Sequence, residues 1–449
     1  MIAWGSPLLW NVISWFGLSD FWYAPSWLVS RIHHFVVNSD VSAFHVVIAA
    51  FVIWILYYYI YLPANWVKDL SDVGFDYLME ESQHKAFRKS KKELVKEVRR
   101  RRKIGELPPI YPNGWFALAE SNDIGLGQVK HVSALGENFA VFRTMKGEIQ
   151  VLDAYCPHLG ANMGIGGIVK GDCIECPFHG WQFESQTGKC VHIPYSLKVP
   201  SHAQVKKWTS CEVNQFIFVW YHSDGVEPFW HIEPIHEINI GKWWYRGRSE
   251  FIINCHIQEI PENGADVAHL NAIHAPSLLG GSDLRYYEKC WLSFARHAWN
   301  ATWTQHTVPG EEHIGTMDLQ HDIKLFGKIN FISMKVQARQ VGPGYVNMMI
   351  DTTIGPLAII QIVTPIEPLL QRVIHRIFCP PMLILYAHIT LIGEAIMIER
   401  DIMVWNHKKY VKPLLVKEDN AILRHRRWYS QFYSQSSPRF TYSKDTLDW

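Results

Sequence analysis

The sequence predicts an α+β fold with an apolar helix near its N-terminus. Three observations lead to this prediction: a 20-residue stretch without Lys, Arg, Asp or Glu at 43–62, strand patterns between residues 139 and 222, and strands mixed with longer helical patterns up to Trp449. Of the 449 residues, 48% are hydrophobic and 19% are charged, and the formal net charge is +1. This composition excludes a disordered chain and a protein that coats nucleic acid.

The first 42 residues form an apolar, Trp-rich segment. Pro7, Gly17, Asp20 and Pro25 interrupt its apolar runs before any of them is long enough to cross a bilayer. The segment also begins without the basic residues that open a cleaved signal peptide. We expect a re-entrant or interfacial segment at 1–42, and a second membrane span is the alternative.

Residues 43–62 are predicted to form a transmembrane helix. A helix of about 20 residues rises about 30 Å, which matches the hydrocarbon core of a bilayer. The C-terminal half of the segment is rich in Trp and Tyr, as in the aromatic belt at a membrane interface. The alternative is a buried core helix, although such a helix seldom stays this long without a charge.

A basic juxtamembrane linker is predicted at 63–106. Between Lys85 and Lys103 the chain carries 11 Lys or Arg residues against Glu93 and Glu97. The positive-inside bias then predicts a single-pass membrane protein with its catalytic domains in the cytosol, and we expect the membrane to be the endoplasmic reticulum. A basic helix beside a membrane also attracts anionic lipid, although the same run would suit a solvated helix.

A first β-rich domain is predicted at 107–225, after a linker that is rich in Pro. Residues 139–156 have the pattern of two strands around a turn at Lys146-Gly147, and 211–222 has the pattern of one alternating strand.

A second domain is predicted at 226–449, because the strand pattern loosens after residue 225. Strand-like runs follow at 345–352 and 357–364. The apolar runs Leu357–Val363 and Met382–Leu385 could line a deep pocket, with ordinary hydrophobic core as an equal alternative.

The first chemical motif lies at 156–181, with the sequence CPHLGANMGIGGIVKGDCIECPFHGW. Its candidate ligands are Cys156, His158, Cys176 and His179. Two thiolates and two imidazoles would suit a tetrahedral zinc ion. In a Rieske centre, however, two Cys hold one iron and two His hold the other, so each of two loops must supply one Cys and one His, as here.

The segment resembles the Rieske [2Fe–2S] motif, and Gly160 and Gly180 follow the two ligand pairs as tight loops require. Respiratory-chain Rieske proteins add two further Cys that form a disulfide between the loops. The equivalent positions here are Ala161 and Phe178, so the resemblance is to the oxygenase-type cluster.

The second motif lies at 261–276, with the sequence PENGADVAHLNAIHAP. His269 and His274 are separated by about 140° on a regular helix, so a distortion or a helix end must bring them together. Two His and one carboxylate form the facial triad of non-haem Fe(II) oxygenases. Alone, the two His would suit ordinary packing equally well, and the Rieske motif upstream favours the iron site.

The carboxylate ligand must come from far downstream, and Glu394, Glu399 and Asp401 are the candidates. The motif resembles the N-x-x-D-x-x-H-x-x-x-x-H segment of Rieske oxygenases, whose third ligand is an acid on a late helix. The resemblance makes Asp401 the predicted ligand and Glu394 the runner-up. It also gives Asp266 a catalytic role on the electron route to the cluster of a neighbouring subunit, and the alternative is that Asp266 orients His269.

A cluster that transfers electrons and a second site that binds iron together imply an O₂-dependent oxidation. The cluster would pass single electrons to a mononuclear Fe(II) that activates O₂. The sequence has no credible G-x-G-x-x-G motif after a strand, so a separate reductase that draws on NAD(P)H is implied. A membrane anchor suggests a lipid-soluble substrate.

The chain resembles the animal cholesterol 7-desaturases, the Neverland family, over roughly residues 40–435. The resemblance rests on the span, the basic linker, the two motifs and the late ERDIMVWNHKKY and RRWYSQFY segments. It implies O₂-dependent conversion of cholesterol to 7-dehydrocholesterol in steroid hormone biosynthesis of the ecdysteroid type. It further implies a β-sandwich Rieske domain, a helix-grip catalytic domain with an antiparallel sheet around a long helix, and a homotrimer.

Two alternatives stay open from the sequence. A steroid hydroxylase of the 3-ketosteroid type would use the same metals and insert oxygen. A membrane-bound Rieske electron carrier would hold about two irons per chain rather than three, because it lacks the mononuclear site.

Overall fold

The computed structural model describes residues 43–57, 61–82 and 89–440. The chain divides into two units, Met1–Leu62 and Pro63–Trp449. The predicted interfacial segment at 1–42 lies outside the described residues.

The described part of the first unit contains one apolar helix, α1 (Ala43–Leu56). Its 14 residues rise about 21 Å, which is short of a bilayer core of about 30 Å. The predicted transmembrane helix at 43–62 stays a prediction: the α-helix covers Ala43–Leu56, Tyr57 and Tyr61 have π-helical backbone, and residues 58–60 lie outside the described residues. Large apolar side chains of α1, among them Phe51 and Ile53, are exposed.

The second unit contains seven described α-helices. They are α2 (Tyr77–Ser82), α3 (Lys91–Arg101), α4 (His236–Asn239), α5 (Glu259–Glu262), α6 (Val267–Ile273), α7 (Ile384–Trp405) and α8 (Asn420–Tyr429).

The second unit is dominated by β-strands. Those of the first half are β1 (Ala64–Lys68), β2 (Gly114–Glu120), β3 (Val129–Ala134), β4 (Glu137–Arg143), β5 (Ile149–Asp153), β6 (Ile168–Lys170), β7 (Cys173–Glu175), β8 (Gln182–Glu184), β9 (Cys190–His192), β10 (Lys207–Trp208), β11 (Ser210–Val213) and β12 (Phe216–Tyr221). Those of the second half are β13 (Trp244–Ile253), β14 (Ala295–Gln305), β15 (Ile314–Leu325), β16 (Ile329–Val341), β17 (Tyr345–Thr352), β18 (Leu357–Glu367) and β19 (Leu370–Cys379).

Two sheets of the first half share one core. The sheet β10-β5-β4-β3 and the sheet β11-β12-β2 both contribute side chains to it, including Phe139 and Val151 from the first and Leu118 and Val219 from the second. The hairpin predicted around Lys146-Gly147 is confirmed, since β4 pairs antiparallel with β5. A third sheet, β6-β7-β8-β9, follows β5 in the chain, and the predicted cluster ligands lie in the loop before β6 and in the loop between β7 and β8.

The stretch 211–222, predicted as one alternating strand, is instead a hairpin of β11 and β12. Asn214 and Gln215 turn it with φ of 51° and 63°. β12 is buried on both faces, because Val219 packs into the first core while Phe218 packs against the large sheet of the second half. A strand buried on both faces shows a continuous apolar run, which explains the missing alternation.

The second half is built on an eight-stranded sheet in the order β1-β13-β19-β18-β17-β16-β15-β14. Every neighbouring pair is antiparallel except β1 and β13. Helix α7 lies against this sheet, with Ala387 and Leu391 in a shared apolar cluster. The expectation of an α+β chain with large sheets and a long late helix is confirmed.

Of the described helices, only the one at Pro381–Trp405 is long and apolar enough to cross a membrane. It includes α7, whose buried face packs on the sheet. We therefore interpret it as the core helix of the second half.

The predicted basic run has two environments. Helix α3 begins with Ser90 as its N-cap and carries most of the charge. Arg102, just beyond its end, donates hydrogen bonds to the backbone carbonyls of Asn254 and Trp405, at 2.9 and 3.2 Å, and to that of Lys408. Part of the run therefore holds the fold together.

Candidate functional site: two metal centres and an apolar cavity

The four predicted cluster ligands lie on two loops, one between β5 and β6 and one between β7 and β8. Cys156 and Cys176 are buried, with 3% and 2% exposure. Each loop closes on itself: the Gly160 N–H donates to the Cys156 carbonyl at 2.9 Å, and the Gly180 N–H donates to the Cys176 carbonyl at 3.1 Å. Both glycines adopt positive φ, 73° and 74°, which other residues rarely accept.

The two imidazoles of these loops face each other near the surface. The rings of His158 and His179 are half-buried, with centroids 4.6 Å apart in an edge-to-face arrangement. The His158 ring also stacks on Trp181 at 4.8 Å. Its buried Nδ1 has no hydrogen-bond partner among the described residues, as expected of a nitrogen that binds metal.

The thiols lie on the inner side of the same pair of loops. Burial raises the pKa of the metal-free Cys156 thiol to about 11, and the neighbouring Cys176 adds to the rise. A buried thiol pair behind a half-exposed imidazole pair fits a [2Fe–2S] group whose Cys-ligated iron is inside and whose His-ligated iron is near the surface.

The second candidate centre combines residues from α6 and α7. The donor atoms of His269, His274 and Asp401 all lie within 4.8 Å of one another. Nε2 of His274 is 3.1 Å from Oδ1 of Asp401. Helix α6 ends at Ile273, so that His274 is its C-cap, with φ of −99°. The helix end that the sequence required between the two His is therefore present.

Asp266 is the N-cap of α6 and orients His269. Its side chain accepts a hydrogen bond from the His269 N–H at 3.1 Å, and its backbone carbonyl faces Nδ1 of the same residue. This contact leaves Nε2 of His269 to face the metal position. The Asp266 side chain stays 31% exposed, which leaves it accessible from outside the chain.

The two other candidate carboxylates point elsewhere. Glu394 contacts Nδ1 of His375 at 2.8 Å. Glu399 accepts from Nε1 of Trp66 at 3.0 Å and from the Ser282 hydroxyl at 2.7 Å. Asp401 is therefore the candidate whose geometry matches the facial triad.

Sequence reasoning missed Arg400, which supports this centre from the residue before Asp401. Its guanidinium is fully buried and donates hydrogen bonds of 2.9–3.1 Å to four backbone carbonyls at the end of α6 and in the loop that follows it. These acceptors belong to Ile273, Pro276, Ser277 and Gly281. Burial lowers the pKa of Arg400, but an arginine stays charged in proteins. A lone Arg beside a predicted ligand, in an apolar helix, was the available signal.

The triad opens into a cavity of about 230 Å³ between α7 and the sheet. Its wall is mostly apolar and includes Trp299, Trp303, Met348 and Met397. The Trp299 indole also donates to the His274 carbonyl at 3.3 Å. A larger cavity of about 520 Å³ lies on a polar face of β14–β17, and its lining contains none of the triad.

Of the two runs that were predicted to line a pocket, one contributes a single residue to the cavity of the triad and the other contributes none. From Leu357–Val363 only Gln361 lines the cavity of the triad, because the neighbouring side chains are buried as core. Met382–Leu385 is absent from that lining, and Met382 is 93% exposed. The pocket interpretation of Met382–Leu385 is therefore wrong.

Comparison with known proteins identifies the two domains in which these candidate centres lie. A Rieske [2Fe-2S] domain model matches residues 114–203, and a 3-ketosteroid 9alpha-hydroxylase C-terminal domain model matches residues 219–433. The crystal structure of dicamba monooxygenase bound to dicamba shares the fold, with a TM-score of 0.53 at 14% identity, over 72% of this chain and 98% of that one. The fold, together with the two groups of candidate metal ligands, defines the protein as a Rieske-type oxygenase.

Sequence relatives narrow the class. Cholesterol 7-desaturase of Xenopus laevis is 50% identical over 365 residues, which are 80% of each chain. The probable oxygenase component of a 3-ketosteroid-9-alpha-monooxygenase of Rhodococcus rhodochrous is 28% identical over 371 residues, 76% of this chain and 87% of that one. The chain belongs to the cholesterol 7-desaturase (Neverland) family.

Proposed function

We propose that the protein is a cholesterol 7-desaturase that converts cholesterol to 7-dehydrocholesterol in steroid hormone biosynthesis of the ecdysteroid type. The observation that carries the proposal is a facial triad opening into an apolar cavity, in a chain 50% identical to a cholesterol 7-desaturase. The overall reaction removes two hydrogens from the sterol. These two hydrogens, the hydride of NAD(P)H and one further proton supply the four hydrogens that leave with the two oxygen atoms of O₂ as two waters, and NAD(P)⁺ is formed.

In this proposal the donors have separate tasks. Cys156, His158, Cys176 and His179 hold the [2Fe–2S] cluster, and His269, His274 and Asp401 hold Fe(II). When bound, these groups supply single-electron transfer and O₂ activation.

The protein residues of the cavity position the sterol and exclude water. Trp299 and Trp303 present large apolar surfaces to a fused-ring hydrocarbon and lie on the same face of β14. The indole N–H of Trp299 also donates to the backbone carbonyl of His274. The same side chain therefore forms part of the cavity wall and positions a candidate metal ligand. The cavity volume of about 230 Å³ is small for a sterol, so we expect the wall to open when substrate enters.

A steroid hydroxylase is the second candidate, because residues 219–433 match a 3-ketosteroid 9alpha-hydroxylase domain. It would use the same donors and insert one oxygen. The identity of 50% to the desaturase of Xenopus laevis, against 28% to the bacterial ketosteroid enzyme, favours desaturation. A Rieske electron carrier is disfavoured by the triad, and an iron content near two per chain would support it.

The test of this proposal is sterol analysis in cells that make no 7-dehydrocholesterol. The protein would be expressed with a reductase, cholesterol supplied, and the sterols separated by mass spectrometry. A product two hydrogens lighter, lost in His269→Ala, supports desaturation. A product one oxygen heavier supports the hydroxylase, and no product from metal-loaded protein removes cholesterol as the substrate.

We further propose a separate reductase and a homotrimer in which the cluster of one subunit reduces the iron of the next. The partly exposed Asp266 beside His269 suits an electron route that enters from a neighbouring chain. Co-expression of His179→Ala with His269→Ala tests this arrangement, because mixed oligomers would pair an intact cluster with an intact triad. Recovered turnover is expected, and its complete absence would indicate electron transfer within one chain.

Membrane attachment through the segment 43–62, as a single-pass protein of the endoplasmic reticulum with its catalytic domains in the cytosol, is also part of the proposal. Exposed apolar side chains of α1 and the basic helix α3 support it. The domain boundaries at 42, 62, 106 and 225 belong to this proposal. Retention of the full chain in carbonate-washed membranes, and its release by Ile53→Lys with Phe51→Lys, is the expected result.

A further inference from the structure

A second polar group lines the cavity of the triad. Glu394 of α7 and His375 of β19 contact each other at 2.8 Å between Oε1 and Nδ1. The other ring nitrogen of His375 is 2.9 Å from Oε1 of Gln361, and the Ser249 hydroxyl donates to Glu394 at 3.3 Å. Gln361, His375 and Glu394 all line the cavity.

The pairing of the strands brings the polar side chains of this group together. Ser249, His375 and Gln361 are directly opposite one another on β13, β19 and β18, so they form one row across the sheet. Glu394 meets the row from α7. It is seven residues, or two helical turns, before Asp401, which puts both acids on the same face of α7 and about 10 Å apart along its axis.

The group has capacity to bind a ligand. His375 is 1% exposed, whereas 21% of the Glu394 side chain remains accessible. A carboxylate can accept about four hydrogen bonds, and His375 and Ser249 occupy two of the positions. A His–Glu pair in an apolar wall must lose its hydration, and this loss offsets most of the attraction between the two side chains. The pair therefore adds little to the stability of the fold, which favours a role in binding a ligand.

We propose that Glu394 and its partners bind the 3-hydroxyl group of the sterol and thereby select a 3-hydroxysterol over a 3-ketosteroid. This inference rests on the proposed function and names the substrate feature that the cavity recognises. The hydroxyl donates its proton to Glu394, and its oxygen can accept from the Gln361 amide. The rest of the sterol then extends along the apolar wall toward the triad.

A 3-ketone has no proton to donate. A carboxylate is only an acceptor, so a ketone placed against Glu394 gives that side chain no hydrogen bond, even when the ketone oxygen accepts from the Gln361 amide. Sites built around a substrate hydroxyl reject analogues that lack it, because the buried polar group stays unpaired. The same chemistry predicts rejection of a sterol without any oxygen at carbon 3.

The experiment measures equilibrium binding of labelled cholesterol, cholest-4-en-3-one and 3-deoxycholest-5-ene to the full-length, metal-loaded protein in detergent. The wild-type protein is expected to bind cholesterol about 10- to 100-fold more tightly than either analogue. Glu394→Gln gives the side chain an amide donor, and the preference for cholesterol over the ketone is expected to shrink at least about tenfold. Glu399→Gln, a buried acid on the same helix outside the cavity lining, is the matched control and should keep the wild-type ratio.

Equal affinity of the wild-type protein for cholesterol and 3-deoxycholest-5-ene would overturn the inference, and this result does not depend on the folding of any variant. An unchanged ratio in Glu394→Gln that retains its iron would also overturn it. Binding selectivity that depends on Glu394, in a protein that makes no 7-dehydrocholesterol, would keep the inference and remove the proposed reaction.

Discussion

At the residue scale, α7 carries two acids with different partners. Asp401 is 3.1 Å from the His274 ring, whereas Glu394 contacts His375. The sequence offered both as iron ligands, because both lie in the late segment where the resemblance places the acidic ligand. Only the position of α6 relative to α7 distinguishes them, and that position is a property of the tertiary fold.

We expect Asp401→Ala to lower the iron content from about three to about two per chain, because the mononuclear site loses its anionic ligand. Glu394→Gln should keep about three. Metal analysis of the purified proteins, with the EPR signal of the reduced cluster as a check of folding, gives the answer. Loss of iron in Glu394→Gln and retention in Asp401→Ala would reverse the assignment.

Asp266→Asn tests the electron route. Asn is as good an N-cap as Asp, and the backbone carbonyl that faces His269 is unchanged, so the fold and both metals should be retained. We expect reoxidation of the cluster in rapid-mixing experiments to slow at least about tenfold. A wild-type rate would leave Asp266 with the orienting role alone.

At the element scale, Arg400 joins α7 to the loop that follows α6. Its hydrogen bonds to four carbonyls fix the end of α6 and the loop that follows it. We expect Arg400→Lys to reduce the free energy of unfolding by about 3 kcal/mol, since one ammonium cannot reach all of these acceptors.

Denaturant unfolding with parallel iron analysis checks this prediction. Arg339→Lys is the control, because Arg339 pairs with Glu233 at the surface, where an ion pair contributes little. Equal stability of the two variants would show that the loop after α6 does not depend on Arg400.

The elements also show what the sequence could and could not predict. The β4–β5 hairpin followed from local alternation and a Gly turn, and the helix end at His274 followed from the angle between two ligands. The hairpin at Asn214 was missed. A strand buried on both faces loses its alternation, so the pattern did not show where β11 ends and β12 begins.

At the scale of the whole molecule, buried histidines make stability depend on pH. Burial lowers the pKa of His256 and His297 to about 4 and of His321 and His425 to about 3. The unfolded chain, with an ordinary His pKa near 6.5, therefore binds more protons between about pH 6.5 and 4 than the folded chain does. Stability is full above pH 6.5 and is lost as the pH falls through this window.

His425→Phe isolates one of these contributions, since His425 packs among Trp303 and Trp428 and is distant in sequence from both metal motifs. Between pH 7.5 and 5.0 the variant should lose about 2 kcal/mol less of its unfolding free energy than the wild-type protein. Denaturant titrations at the two pH values measure the difference. Identical pH dependence would mean that His425 titrates normally in the fold.

One experiment tests the proposed sterol reaction, and with it the roles of the two candidate metal centres and of the cavity. Cholesterol deuterated at carbons 7 and 8 would be given to the purified, metal-loaded and chemically reduced protein, with O₂, for a single turnover. Desaturation predicts 7-dehydrocholesterol that has lost one deuterium from each of the two carbons. A product that keeps the label at carbon 8 and gains one oxygen would contradict the assignment as a desaturase.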